Sequence, residues 1–298
     1  MTEQKTPPED EFTTHRPLLF SIAYEILGSV VDAEDVVQDS YLRWRTVDVT
    51  SVANPRAYLA QIVTRQALGV LRSAARRREE YVGPWLPEPL ATDNAEGGRP
   101  DGIDHVLTGE AVTTAMLLVL ELLTPAQRAV FVLREVFGFG YPEIAAAVGK
   151  SEAAVRQLNQ RARKQVHARR HTAVASPAEA AEVTARFSIA ATTGDVQGLM
   201  DVLAPDVVYL ADGGGVVTAV RRPVHGPDKV ARLVIGLLAK GARMGRLDVR
   251  FGTYNGMHSV AVLLDGVLDQ VTSMEVRNGV VTAVYCVRNP HKLTTVEV

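Results

Sequence analysis

Cysteine is nearly absent from this chain. Cys286 is the one thiol, which excludes an internal disulfide framework and any metal site built from several cysteines. Long apolar runs are missing as well, so nothing is of a length to span a bilayer. Met1 to Glu11 is polar and has no apolar core of the kind that opens a secretion signal. A soluble, cytoplasmic protein is expected. Net charge is almost lacking too, since 32 Lys+Arg against 34 Asp+Glu leave −2 at pH 7. There is no internal repeat and no low-complexity tract.

The near-zero balance hides a segregation. Arg56 to Arg78 holds six arginines and no acid, and Lys150 to Arg170 holds seven Lys/Arg against the single acid Glu152. Glu25 to Asp39, by contrast, carries five acids and no base. Basic stripes on a neutral chain point to a polyanion that docks at defined places. With 298 residues and 47% hydrophobic content, two or three globular domains can be built.

Punctuation along the chain divides it. Phe12, Leu19, Ile22, Ala23 and Ile26 fall at helical spacing and Gly28 closes that run. The acids of Asp32-Ala-Glu-Asp suit the positive end of a second helix, predicted to reach Trp44. Asn54-Pro55 starts a third, running to about Glu80. Four prolines and four glycines between 83 and 104 have the composition of a linker. Helical spacing returns near Gly109, with a capping box at Thr124–Gln127, and Ser151 caps a helix predicted to reach about Arg170. Ser176 to Glu179 reads as another capping box, and the texture then changes. Helices are predicted at about 177–193, 196–203 and 228–239. Asn255-Gly256, Asp265-Gly266 and Asn278-Gly279 separate Val- and Leu-rich runs, which predicts a four-stranded antiparallel meander over 247–287 joined by type I′ turns. Helices on one curved sheet make the last segment an α+β domain.

The most specific local pattern is Ala145, Gly149 and Val155 at the spacing A-x3-G-x5-V. A helix-turn-helix needs a small residue where its helices touch, a residue that tolerates left-handed backbone at the turn, and an apolar knob on the second helix. Ile144, Val148 and Leu158 complete the apolar face. Ser151 caps the second helix, whose outer side then carries Glu152, Arg156, Gln157, Gln160, Arg163 and Lys164. Arg and Gln near its start can pair with guanine and adenine edges in the major groove, whereas Arg163 and Lys164 suit phosphate. A bland reading, a basic surface helix on any bundle, competes with this one, and the charge imbalance favours DNA.

The helix at 55–78 interleaves Tyr58, Leu59, Ile62, Val63, Leu68 and Leu71 with its arginines, giving a core face and a positive ridge able to follow a phosphate backbone. Residues 46–54 could help form a pocket for unstacked bases. The neighbouring acids Asp32, Glu34, Asp35 and Asp39 suit a basic protein surface. In the last segment Tyr209, Asp212, His225, Tyr254, His258 and Asp269 are the polar candidates for a pocket. An Asp–His pair there could act in acid–base chemistry if the side chains met. A structural role for such scattered residues is the commoner outcome, and the glycines at 213–215 read as a tight bend.

These residues resemble a known family. Asp32–Trp44 is similar to region 2 of extracytoplasmic-function (ECF) sigma factors, the part that binds the clamp of core RNA polymerase. Leu123–Arg128 followed by Tyr141–Ala145 resembles their region 4. Trp85-Leu86-Pro87-Glu88-Pro89, Asp212-Gly213-Gly214-Gly215 and Asn289-Pro290-His291-Lys292-Leu293 look like the subgroup with a C-terminal SnoaL-like (NTF2-like) domain. Three positions depart from that pattern: Gly69 where an Asp is usual, Val216 where a base is common, and His291 in place of an acid. A mid-helix glycine costs about 1 kcal/mol relative to alanine.

The resemblance implies two all-α domains, a region 2 bundle at 8–82 and a region 4 helix-turn-helix at 109–171, joined by a linker at 83–108. An α+β NTF2-like cone domain follows at 176–293. It implies polymerase contacts at Asp32, Glu34, Asp35, Gln38, Asp39 and Trp44. Minus-10 contacts fall to Arg56, Arg65, Arg72, Arg76 and Arg77, and minus-35 contacts to Ser151, Glu152, Arg156, Gln157, Gln160, Arg163 and Lys164. A regulatory set comprises Trp85, Leu86, Pro87, Glu88 and Pro89, then Asp212, Gly213, Gly214 and Gly215, then Asn289, Pro290 and Lys292. The expected partners are core RNA polymerase and double-stranded promoter DNA melted at the minus-10 element, with room for an unidentified small ligand in the C-terminal pocket. No catalytic residue, cofactor, metal or membrane partner is expected. The factor is expected to be a monomer associated with the nucleoid. Two rivals stay open on sequence: a one-component DNA-binding regulator, which leaves the acidic helix unexplained, and a polyketide-cyclase-like enzyme, which leaves the first 175 residues unexplained.

Overall fold

A computed structural model describes residues 8–79, 81–92, 113–168 and 175–297. They fall into two compact units, one holding 8–79 and 116–168, the other 81–92, 113–115 and 175–297. This differs from the predicted division in two respects. The two helical domains share one unit, and the segment expected to be a linker from residue 83 belongs, as far as residue 92, with the C-terminal domain.

The first unit begins with α1 (Pro8–Leu27). Phe12, Leu19, Ile22, Ala23 and Ile26 are all buried, and Gly28 ends it at φ 68°. The second helix, α2 (Val30–Trp44), starts two residues before the predicted Asp32, because Ser29 Oγ accepts the Asp32 amide at 3.2 Å and so caps it. Asn54 Oδ1 accepts the Ala57 amide at 3.1 Å and starts α3 (Pro55–Glu79) as expected. Leu59, Val63, Leu68 and Leu71 form its core stripe. Beyond α4 (Thr114–Leu120), the Thr124–Gln127 capping box forms at the head of α5 (Pro125–Phe131). A π-turn over Val132–Val136 carries the chain to Gly138, and α6 (Tyr141–Val148) and α7 (Glu152–His167) follow.

The second unit opens, after residues 81–92, with α8 (Pro177–Thr193) and α9 (Val196–Val202). A mixed six-stranded sheet has the order β2-β1-β6-β5-β4-β3. The meander of β3 (Leu247–Tyr254), β4 (Met257–Leu264), β5 (Val267–Arg277) and β6 (Val280–Val287) is the one predicted. Both residues of each turn have positive φ, for example Asn255 at 48° and Gly256 at 62°. Sequence patterning did not reveal β1 (Leu203–Asp212), which pairs parallel with β6, or the two-residue β2 (Val224–His225). The first follows α9 with no turn residue between them and contains Pro205, so neither boundary nor alternation announces it. Irregular register at Val262/Leu263 and Glu275/Val276 bends the sheet. With α8, α9 and α10 (Pro227–Met244) on its inner side, the sheet makes the expected α+β cone, whose core includes Phe187, Leu199, Val207, Val230, Met274 and Val284.

Candidate nucleic-acid interface and linker clasp

The helix-turn-helix forms as its spacing requires. Gly149 turns the chain in left-handed backbone (φ 66°, ψ 41°), and Ser151 Oγ accepts the Ala154 amide at 3.3 Å to start α7. Val155 is buried as the knob and Ile144 lies under it, while Ala145 is only half-buried and Ala147 is the small residue more deeply enclosed. Ser151, Glu152, Arg156, Gln157, Gln160, Arg163 and Lys164 are all exposed on one side of α7, and Arg161, which the sequence reading omitted, joins them. Two supports hold this side in place. Arg156 lies over the Tyr141 ring, 4.2 Å from its centroid, and pairs with Glu152 at 3.5 Å. Glu135 accepts from buried Asn159 Nδ2 at 2.7 Å and faces Arg163 Nε at 3.8 Å.

The α3 arginines have a different setting. Arg65 Nη2 donates to the Ala146 carbonyl of α6 at 2.7 Å, and Arg56 sits 4.3 Å from the Phe139 ring centroid with Nη2 toward the Phe137 carbonyl. Both side chains are thus engaged by the helix-turn-helix portion of the same unit. Arg72 is exposed, and the side chains of Arg76 and Arg77 lie outside the described residues. Gly69 is exposed, with nothing near the position a Cβ would take.

On α2, Asp35, Gln38 and Asp39 are exposed, whereas Asp32 and Glu34 are half-buried, and Glu34 accepts from Arg16 Nη2 at 2.7 Å. Trp44 corrects the prediction. It is 0% exposed and packs against Tyr58, so it belongs to the core of the bundle and offers no docking surface. Exposed Val31 and Leu42, not foreseen, share the face with the acids. Their spacing from Asp35 and Asp39 could have revealed them, since 31, 35, 38, 39 and 42 share one helical stripe.

The three motifs expected to be regulatory meet in the second unit. Asp212, 0% exposed, ends β1, and its carboxylate accepts four hydrogen bonds. Oδ1 takes the Tyr81 hydroxyl at 2.6 Å and the Gly214 amide at 3.0 Å. Oδ2 takes the Leu86 amide at 2.9 Å and Lys292 Nζ at 2.8 Å. The ammonium also donates to the Leu86 carbonyl at 2.5 Å and lies 4.1 Å from the Trp85 ring centroid. Asn289 Nδ2 donates to Tyr81 Oη at 2.8 Å, and its Oδ1 caps the short turn Pro290–Lys292. The glycines have a purpose beyond the bend. A Cβ on Gly213 would stand 2.6 Å from the Val217 carbonyl, and one on Gly214 would overlap the Asn289 amide. Pro290 and His291 are exposed, and Leu86, Pro87, Glu88 and Pro89 are buried.

Beyond Pro89 the segment runs on as an added strand. Leu90 exchanges hydrogen bonds with Asn255, Ala91 bridges Tyr254, and the Thr92 amide donates to the Thr253 carbonyl at 2.8 Å. Tyr81, Leu90, Thr92 and Asn255 were not foreseen. Asn255 reads as a turn residue, and its second task of holding the segment leaves no separate mark in the sequence.

The polar candidates of the cone do not assemble into a catalytic group. Asp269 lies in the cavity but is held by Arg288, Asp212 belongs to the clasp, His225 is exposed on the edge strand, His258 is half-buried on β4 opposite Thr253, and Tyr254 packs at Ala91. Tyr209 lines the cavity, where burial raises its phenol well above the ordinary value and the adjoining Cys286 adds to the shift.

Two family models match the helical part of the chain. Residues 12–77 match the model of Sigma-70 region 2, and 113–166 match that of Sigma-70, region 4. The chain is 39% identical over 296 residues to the ECF RNA polymerase sigma factor SigJ of Mycobacterium tuberculosis, covering 95% of this chain and 92% of that one. It is 33% identical over 227 residues to the probable ECF RNA polymerase sigma factor SigI of the same species, covering 75% of this chain and 76% of that one. The crystal structure of M. tuberculosis SigJ superposes with a TM-score of 0.76 at 35% identity, covering 96% of this chain and 98% of that one.

Proposed function

The chain belongs to the ECF sigma factors, non-enzymatic proteins that bind RNA polymerase and initiate transcription, and from that premise we propose that its C-terminal domain restrains initiation in cis by clasping residues 81–92. The observation that carries this reading is Asp212, whose buried carboxylate gathers Tyr81 and Leu86 from one distant segment and Lys292 from another. Residues 81–92 follow α3 in the sequence and lead toward the helix-turn-helix, so clasping them ties down the chain between the two DNA-binding elements.

Polymerase is proposed to meet Asp35, Gln38 and Asp39 on α2. The outer side of α7 reads the minus-35 element, and Arg56, Arg65 and Arg72, with Arg76 and Arg77, serve the minus-10 element. Arg56 and Arg65 are exposed yet bond to carbonyls and a ring of the same unit, partners that compete with a phosphate. Release of residues 81–92 favours that exchange of partners. The one-component regulator loses ground because it gives the α2 acids no task.

Run-off transcription with core polymerase tests the proposal. Lys292→Met removes the ammonium that joins Asp212 to Leu86 and is expected to raise promoter-specific transcript over the unaltered chain. Equal output from the two proteins at matched polymerase occupancy refutes cis restraint.

A further inference from the structure

The cone encloses a cavity of about 540 Å³. That is within the range of sites that take small organic molecules, roughly 300–1,000 Å³. Its walls are largely apolar: Phe187 and Ala191 from α8, Val260 and Val262 from β4, Met274 and Val284 from β5 and β6. One end is polar. There Arg288 donates to both oxygens of Asp269 at 2.7 and 2.8 Å, and to the Thr218 carbonyl at 2.8 Å, beside Gln270 and Thr272. The ion pair neutralises itself, and the guanidinium keeps two N–H groups beyond those three bonds. At the rim Val216, Leu237 and Met244 stand 58%, 38% and 60% exposed. These are large apolar side chains around an opening.

We infer that this cavity is a binding site for an uncharged, mainly apolar ring compound that carries a hydroxyl or keto group. Apolar walls take the ring system, the rim closes over it, and the oxygen meets Arg288 and Gln270. A charge on the part of the ligand that reaches Asp269 and Arg288 is disfavoured because those two already cancel, and the other charged lining residue, Lys240, is exposed and keeps its hydration. Burial keeps the neighbouring Tyr209 and Cys286 in their neutral forms, which adds no counter-charge.

The cavity also adjoins the clasp, and this part rests on the clasp reading above. Loop residues 216–220 line the cavity, while Gly213 and Gly214 at the start of the same loop press on Val217 and Asn289. Arg288 donates its side chain to Thr218 in the cavity and its amide to the Asp212 carbonyl at 2.7 Å, and Asn289, next in sequence, holds Tyr81. A filled cavity fixes this loop and tightens the hold on residues 81–92. A ligand shifts such an equilibrium only by preferring one of its states.

The test uses the full chain and the neutral fluorophore N-phenyl-1-naphthylamine. Its emission is expected to rise saturably, and 2-naphthol is expected to displace it about tenfold more effectively than 2-naphthoate, which shares the ring and adds a charge. Leu237→Trp, a change at the exposed rim, is expected to abolish the rise, with Met244→Trp as an independent plug. An undiminished rise in both plugged variants, or equal displacement by alcohol and carboxylate, overturns the site or its ligand class. For the coupling, hydrogen exchange of the segment 81–92 is expected to slow when 2-naphthol is bound. Unchanged exchange at saturation overturns the coupling, whatever the transcription assay says of the clasp.

Discussion

Lys292 places its ammonium 2.8 Å from Asp212, the two side chains being 8% and 0% exposed. Removing one partner of a buried pair leaves an uncompensated charge and costs about 3–5 kcal/mol, and each further hydrogen bond lost with that partner adds to the cost. Asp212 retains Tyr81, Leu86 and Gly214 in Lys292→Met, while Asp212→Ala removes the acceptor of all four bonds at once. Urea unfolding of the two variants is therefore expected to rank Asp212→Ala as the more destabilised. The reverse order means that Lys292, and not the carboxylate, organises the clasp.

The two ends of α7 have different tasks on the proposed reading, and they separate experimentally. Arg156 is held over Tyr141 near the start of the helix, where side chains reach base edges. Arg156→Ala is expected to cost about 1–3 kcal/mol on a cognate minus-35 element and to relax the preference at one position. Lys164→Ala is expected to weaken cognate and scrambled promoters alike and to lower the salt slope by about one unit. Promoter titrations of the polymerase complex at several salt concentrations measure both. Identical behaviour of the two variants contradicts the split.

Much of this was legible because local chemistry set it. Gly149, Ser151 and the three Asn/Asp-Gly turns act within a few residues, and the structure has each where its dihedral preference requires. What escaped was non-local. The strand β1 carries no punctuation of its own and exists through its parallel pairing with β6. Trp44 sits in an acidic, exposed-looking segment, yet its position on α2 points it at Tyr58. Residues 84–89 have the composition of a linker, and only the partners supplied by Asp212, Asn255 and Lys292 make them an ordered strap. The intramolecular engagement of Arg56 and Arg65 was equally invisible, because a positive ridge looks the same whether its counterpart is phosphate or a backbone carbonyl.

Asp35 and Asp39 stand one turn apart on the exposed stripe of α2 with Val31 and Leu42 beside them. An acidic stripe with apolar edges suits a basic protein surface that also buries some apolar area. Reversing both charges, Asp35→Lys with Asp39→Lys, places like charge against that surface and is expected to weaken association with core polymerase by tenfold or more, about 1.4 kcal/mol. Leu42→Ala is expected to have a smaller effect. Competition against a labelled sigma factor measures both, and undiminished affinity of the double reversal removes α2 as the polymerase face.

Glu25 gives the first unit a pH dependence of definite sign. Burial pushes its carboxyl up from about 4.5 to about 8, with Arg128 pulling the other way. Arg128 Nε donates to the Glu25 backbone carbonyl at 3.2 Å, and Glu25 Oε2 accepts no hydrogen bond among the described residues. Between those two values the folded chain holds a proton that the unfolded chain has released. Stability is therefore fully present below about pH 4.5 as far as this group is concerned, falls as pH rises through the window, and is lost by about pH 8 at no more than about 1.4 kcal/mol per pH unit. Glu25→Gln keeps the shape and carries no titrating proton, so its unfolding free energy is expected to vary less with pH and to exceed that of the unaltered chain at pH 8. Denaturant titrations at pH 5.5, 6.5 and 8, roughly spanning the window, are the measurement. Parallel curves for the two proteins would mean that Glu25 is charged in the fold, with Arg128 rather than burial governing it.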